Sequence, residues 1–152
     1  MNQSDTLIID TTERIFREFA EPQAVISDFN GSWRSSLWTA LEEAGLTLAW
    51  VPEKNGGSGA EIKDGFNILE MAGRYALSIP LAETLLAGWL LGKGGLRAPM
   101  GPMTVAFGTS EQPLTIKDEK LYGCGMHVPF RNTAQHFVCL ANGELGPQVS
   151  LV

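Results

Sequence analysis

Cysteine and histidine are scarce in this chain of 152 residues, with Cys124 and Cys139 as the two thiols and His127 and His136 as the two imidazoles. Two cysteines without metal-ligand spacing exclude a readable metal site and a disulfide framework, and they leave reduced structural thiols as the expectation. A nucleophilic serine or cysteine needs an imidazole and an orienting acid, and neither histidine sits in such a signature. Cys124 and His127 are three apart, so in an extended strand they point to opposite faces, which argues against a thiol–imidazole hydrolase. Basic residues are also few. Eleven Lys and Arg against seventeen Asp and Glu give a net charge of -6 with no basic cluster, so a nucleic-acid partner is not expected. The longest apolar segment, Leu81 to Leu91, is interrupted by Glu83 and is too short to span a bilayer. The first five residues show no basic region leading into an apolar run, so no secretory leader is visible. The expectation is a soluble, cytoplasmic protein without a membrane partner.

What the chain does have is a supply of core residues: 44% hydrophobic content with four Trp and seven Phe, enough for one compact domain or one and part of a second. The stretch Ala49 to Gly59 organises it. Pro52 fixes one backbone angle, and Asn55, Gly56, Gly57 and Gly59 permit left-handed or crowded conformations, so a sharp, rigid corner is expected. Ser58 stands three residues before Glu61, a capping-box spacing that would start a helix. In that helix Ile62, Phe66, Leu69 and Ala76 recur at helical spacing as the expected buried stripe. Gly65 and Gly73 each cost about 1 kcal/mol relative to alanine, and close packing against another element would justify them.

Three more helices flank this one. Residues 5 to 20 carry Ile8, Ile15, Phe16 and Phe19 on one stripe, with Ser4 or Asp5 as cap and Pro22 as stop. Residues 23 to 32, with Asp28, Asn30, Gly31 and Ser32, have loop composition. Trp33 to Ala44 reads as a helix with Leu37, Trp38 and Leu41 inward and Gly45 ending it. After a break at Ser78 and Pro80, a fourth helix from Leu81 to Leu91 is apolar on nearly every side, which suggests burial among helices or at a subunit contact. Glu83 in its first turn is explained by the helix dipole without chemistry.

From Gly92 to Pro102 the composition turns to glycine and proline, and the pattern then changes period. Met103 to Phe107, Leu114 to Ile116, Lys120 to Tyr122, Phe137 to Ala141 and Val149 to Val152 read as short strands between turns. The expected fold is therefore α+β: a helical bundle over residues 1–98, then an antiparallel β domain over 99–152. The apolar ending at Leu151 and Val152 makes that domain look incomplete, so further chain or a partner is expected to finish it. The glycine-rich corner is no phosphate cradle, because no Lys-Ser or Lys-Thr follows it. Nor is it a dinucleotide fingerprint, since the position three beyond Gly59 is Ile62.

These residues, taken in order, resemble the acyl-CoA dehydrogenase family. The matching text is Leu37-Trp38 with Leu41 and Ala44-Gly45-Leu46, Val51-Pro52-Glu53 with Gly56-Gly57 and Gly59, Glu70 with Gly73-Arg74, and Pro80-Leu81 with Glu83. In the β part, Gly123, Val128-Pro129, Phe137-Val138 and Leu140-Ala141 resemble the strand pair around the family's flavin-contacting segment. The likeness covers about residues 5 to 142. It implies an N-terminal helical region and the start of a middle β region of an FAD flavoprotein that forms homo- or hetero-oligomers. Such enzymes remove hydrogens from Cα and Cβ of an acyl-CoA thioester, a glutamate taking the α proton and the flavin the β hydride. That glutamate belongs to a later helical region, so no catalytic residue is assigned here.

Further implications concern the sites. His127, Val128 and Pro129 fall at the positions of the family's Trp-Ile-Thr element beside the flavin, replacing an aromatic face by imidazole and losing a hydroxyl. Phe107-Gly108-Thr109-Ser110-Glu111 runs directly into Gln112-Pro113, a shortened form of the segment that holds flavin and thioester. By position, Leu81, Thr84, Leu85 and Gly88 are the acyl-pocket residues, with ordinary core packing as the competing role. These losses fit a flavin-poor subunit of a heteromeric, steroid-type member, and the helical domain would offer a docking face for an electron-transferring flavoprotein or a partner dehydrogenase.

Overall fold

The computed structural model describes residues 3–21, 26 and 31–152, with side chains from residue 7 onward within those spans. Helix α1 covers Gln3–Phe19, α2 Ser32–Glu43, α3 Ile62–Arg74 and α4 Leu81–Lys93, with a 3-10 turn at Glu53–Asn55. Strands follow at Met103–Phe107 (β1), Thr115–Lys117 (β2), Lys120–Tyr122 (β3), His136–Gly143 (β4) and Gly146–Leu151 (β5). The helix-then-strand order expected from the sequence is what the chain adopts. Pro22, Asp28 and Asn30, read above as stop and loop residues, lie outside the described residues. Ser4 and Asp5 fall inside α1 rather than ahead of it.

Phe16, Leu37, Leu41, Ile68 and Leu85 are fully buried and join α1, α2 and α3 to one side of α4. On its other side α4 packs through Ala87 and Leu91 against Met103, Val105 and Val138 of the sheet and against Leu48 and Val51 of the corner. The all-round apolarity of α4 thus has a simple cause: it is the layer between the bundle and the sheet. Among the described residues no helix is long and apolar enough to cross a membrane.

The corner is rigid for the expected reasons. Pro52 is extended at φ -58°, Gly56 and Gly59 take positive φ of 98° and 64°, and a Cβ on Gly57 would collide with Val51 and with the carbonyl oxygens of Val51 and Leu48. The backbone there is closed by Asn55 N–H to Pro52 O at 2.8 Å and Gly59 N–H to Val51 O at 2.9 Å. The proposed cap is different. Ser58 donates its hydroxyl to Gly45 O at 2.7 Å, and α3 begins one turn later, where Asp64 accepts the Glu61 N–H at 3.1 Å. Ser58 is thereby a tie between the corner and the end of α2.

The buried face of α3 also differs from the expected stripe. Asp64, Gly65, Ile68 and Met71 are inward, whereas Ile62 and Phe66 are 49% and 58% exposed, Leu69 is half-buried, and Ala76 lies past the helix end at φ 49°. Gly65 is the reason. It lies against the Trp50 indole, which donates to Ile62 O at 3.1 Å, so the helix seats its glycine under the indole and leaves Phe66 at the edge of that ring, facing outward. Gly73 has open space where its Cβ would be, so close packing does not explain it.

The sheet is mixed rather than purely antiparallel. β1 runs parallel to β4, from Met103 beside His136 to Phe107 beside Leu140, and β2 meets β4 in parallel at Thr115 and Asn142. The antiparallel pairs are β2 with β3 and β4 with β5, the two pairs joined by two-residue turns. Asp118 and Glu119 both have positive φ, as a type I′ turn requires. β1 and β4 are separated by residues 108–135, long enough for the chain to return in the same direction.

Two glycine substitutions separate these environments. Gly57→Ala should destabilise by about 1–3 kcal/mol, because the colliding atoms are backbone, while Gly73→Ala should stabilise by about 0.5–1 kcal/mol by lowering unfolded-state entropy. Urea midpoints of the two variants against the parent, moving in opposite directions, check this.

Candidate functional site

Where the sheet meets the bundle, α4 supplies its one fully buried hydroxyl. Thr84 Oγ1 is 2.7 Å from Pro80 O and 3.1 Å from Met103 O, and it accepts the Met103 N–H at 3.0 Å. The first turn of the helix is thus bonded to the first residue of β1. A turn below, a Cβ on Gly88 would lie 2.6 Å from Val51 Cγ2 and one on Gly92 2.6 Å from Pro52 Cδ, so these two glycines form a notch that receives the corner. Of the four positions that resemblance placed at an acyl group, Leu81, Thr84, Leu85 and Gly88 are all buried. Thr84 and Gly88 are occupied by these contacts, and Leu81 lines a small apolar groove of about 240 Å³ with Leu69, Gly73, Leu77, Ile79 and Ala82.

The three positions expected beside a flavin sit along the free edge of β1. Met126 N–H donates to Phe107 O at 3.2 Å, and the buried Thr104 hydroxyl donates to Pro129 O at 2.7 Å. His127 is exposed with φ 50°, Val128 packs half-buried onto Ala106, Leu114, Cys139 and Ala141, and Pro129 is exposed. As a flavin seat this segment lacks a donor at Pro129 and ties Thr109 into a local turn. Pro129 has neither an N–H nor a hydroxyl, and its carbonyl is taken; Thr109 spends its N–H on Gln112 O at 3.1 Å and accepts the Gln112 N–H at 3.0 Å on its hydroxyl oxygen, which keeps its own O–H to donate. An isoalloxazine ring, whose carbonyls and ring nitrogens call for several donors, is not matched by these residues alone.

The cysteines do not form a reactive centre. Cys139 is buried, which pushes its thiol up from the usual value and away from the thiolate, and the exposed Cys124 has the Gly125 carbonyl as its contact at 3.8 Å. Among the described residues no group of His, Cys, Asp and Glu could hold a metal ion.

A trough of about 880 Å³ opens between α2 and the segment Phe130–Gln135. Arg34, Trp38 and Glu42 face it at one-turn intervals, with Met100, Phe130 and Gln135 opposite. Sequence reasoning counted Trp38 with the inward residues of α2. Leu37 and Leu41 are fully buried, while Trp38 is half-buried at the wall of this trough. Phe130 carries no sequence signal: its φ of 50° is a left-handed conformation that costs a non-glycine residue about 1–2 kcal/mol, and no glycine marks it.

Comparison with known proteins decides the relationship. Residues 2–113 match the family model described as acyl-CoA dehydrogenase, N-terminal domain. The chain belongs to the acyl-CoA dehydrogenase family. It is similar to the acyl-CoA dehydrogenase IpdE2 of Mycolicibacterium smegmatis, 29% identical over 103 residues that make up 66% of this chain and 33% of that protein. Among solved structures it resembles a variant of the Tcur3481–Tcur3483 steroid ACAD, with a TM-score of 0.75 and 26% identity over 99% of this chain and 48% of that one. The ChsE4–ChsE5 complex of Mycobacterium tuberculosis shares the fold, with a TM-score of 0.72 and 20% identity over 100% of this chain and 47% of that one. These similar proteins are longer, and this chain spans about a third to a half of each.

The Thr84 bond is directly testable. Thr84→Val keeps the shape but leaves the Met103 N–H without an acceptor, which should cost about 1–3 kcal/mol, and Thr84→Ser should recover most of it in the same urea titration.

Proposed function

We propose that this chain is the helical-and-sheet portion of a flavin-dependent acyl-CoA dehydrogenase of the steroid-degrading type, working in the cytoplasm as the flavin-poor member of a hetero-oligomer. The observation that carries this reading is the edge at Thr109 and His127–Pro129, where Pro129 has no donor and Thr109 is turned onto Gln112, within a fold that otherwise follows the family. The activity is α,β-dehydrogenation of an acyl-CoA thioester. In it, FAD and the proton-abstracting carboxylate come from outside the residues described here, and this chain closes one side of the assembly. The Tcur3481–Tcur3483 steroid ACAD, similar at 26% identity, is named for two chains, which supports a partner subunit. Co-expression with a neighbouring dehydrogenase-like chain should give a complex showing flavin absorption bands and acyl-CoA-dependent dye reduction, while this chain purified alone should be colourless. A yellow, flavin-saturated product from this chain alone would contradict the reading.

The outward stripe of α3 favours a second role. Ile62, Phe66 and Leu69 stand on one face beside the apolar groove, and Phe66 is held edge-on to Trp50 with ring centroids 5.2 Å apart. An exposed apolar patch of this kind fits a docking face for an electron-transferring flavoprotein. Phe66→Asp should reduce capture of that flavoprotein by about tenfold or more, consistent with loss of a central apolar anchor, with unchanged circular dichroism. Full retention of capture would remove this face from consideration.

A further inference from the structure

We propose that the trough between α2 and Phe130–Gln135 is a binding site for a flat, largely apolar molecule bearing one carboxylate, with the carboxylate at Arg34 and the ring body between Trp38 and Phe130. None of the seven residues expected at a flavin or an acyl group lines this trough. The inference rests on the geometry here and not on the dehydrogenase assignment, so either can fail alone.

The two polar ends of the trough are built rather than incidental. At one end the Arg34 guanidinium lies 4.9 Å over the Trp33 ring and directly against Gly31, where a Cβ would collide with it. Gly31 has φ 68°, so a left-handed glycine and an aromatic face together seat the cation. At the other end Gly101, at φ 99°, lies against the Gln135 side-chain amide in the same way, and its N–H donates to Glu42 Oε1 at 2.6 Å. The Gln135 N–H is fixed to Pro102 O at 2.8 Å. Glu42 is thereby engaged with backbone, and Arg34 is the cation on the described lining of the trough.

Between these ends the walls are mainly apolar, with the hydroxyls of Ser35, Thr39, Ser78 and Thr133 interspersed. Trp38 stands one turn from Arg34, and Phe130 faces the same space from the opposite side, its strained backbone braced by Thr133 and Ala134 N–H groups that donate to its carbonyl at 2.9 Å. A bulky residue held in a left-handed conformation needs surrounding structure to keep it, and such positions cluster where a side chain must be aimed. The trough volume of about 880 Å³ is within the range of small-molecule sites, whose usual makeup is apolar walls with a few fixed polar groups. A guanidinium on a fixed seat favours a carboxylate, which it can engage through two parallel bonds.

The test is calorimetric titration of the full chain with 1-pyrenebutyrate, a flat apolar ring system with one carboxylate, below its aggregation concentration, and with its uncharged methyl ester. Saturable one-to-one binding of the acid, with the ester about tenfold weaker, is the expected result. Arg34→Gln should lower acid binding to the level of the ester, Thr39→Trp should fill the trough and abolish both, and Phe66→Asp should bind as the parent does. Circular dichroism establishes that each variant is folded; Arg34 is exposed, so its replacement leaves the core intact. No saturable binding by the parent, or parental binding in Thr39→Trp, overturns the site. Parental acid binding in Arg34→Gln overturns the assignment of the carboxylate.

Discussion

A helix apolar around nearly its whole circumference has to be covered on most sides, and α4 does so by standing between two layers, with Leu86 left 37% exposed. Leu81 and Leu85 turn to the bundle, Ala87 and Leu91 to the sheet, and the Gly88–Gly92 notch receives Val51 and Pro52. Burying a Leu side chain is worth about 1.5–3 kcal/mol, so the position of α4 is held from both sides by the largest favourable terms available to a chain of this size. The one buried hydroxyl on this helix must find partners in that dry setting, and the ends of Pro80 and Met103 supply them. Sheet and bundle are joined through that side chain.

This arrangement explains why the resemblance to acyl-CoA dehydrogenases is strong in the helices and thinner at the flavin edge. The corner, the notch and the Thr84 bond are packing constraints that any member with this junction has to satisfy, whatever it binds. The edge formed by Thr109 and His127–Pro129 carries less of that packing: Thr109 is turned onto Gln112, and Pro129 accepts from Thr104. A subunit can lose that edge without loosening its core.

Much of the fold was legible in the sequence because it depends on short-range chemistry. Gly45 ends α2 at φ 69° with Leu46 N–H returning to Leu41 O at 2.9 Å, and the strands Met103–Phe107 and Lys120–Tyr122 fall where the turn-bounded runs placed them. The errors have long-range causes. Periodicity found an apolar stripe on α3 but could not tell that Trp50, 15 positions before Gly65 in the numbering, would choose the glycine face. Strand direction depends on how residues 108–135 return, which no local pattern encodes. The trough was invisible for the same reason: Arg34, Phe130 and Gln135 become neighbours only when α2 and the loop before β4 are brought together.

If α4 is the common layer, the amide that bonds to its hydroxyl should open only when the whole structure opens. Native-state hydrogen exchange at Met103 measures this directly. The account predicts a protection free energy for that amide equal to those of the buried strand positions Val105 and Val138 and close to the global unfolding value. Rapid exchange at Met103 while the amides of α1 and α3 stay protected would contradict it, since sheet and bundle would then be parting without unfolding.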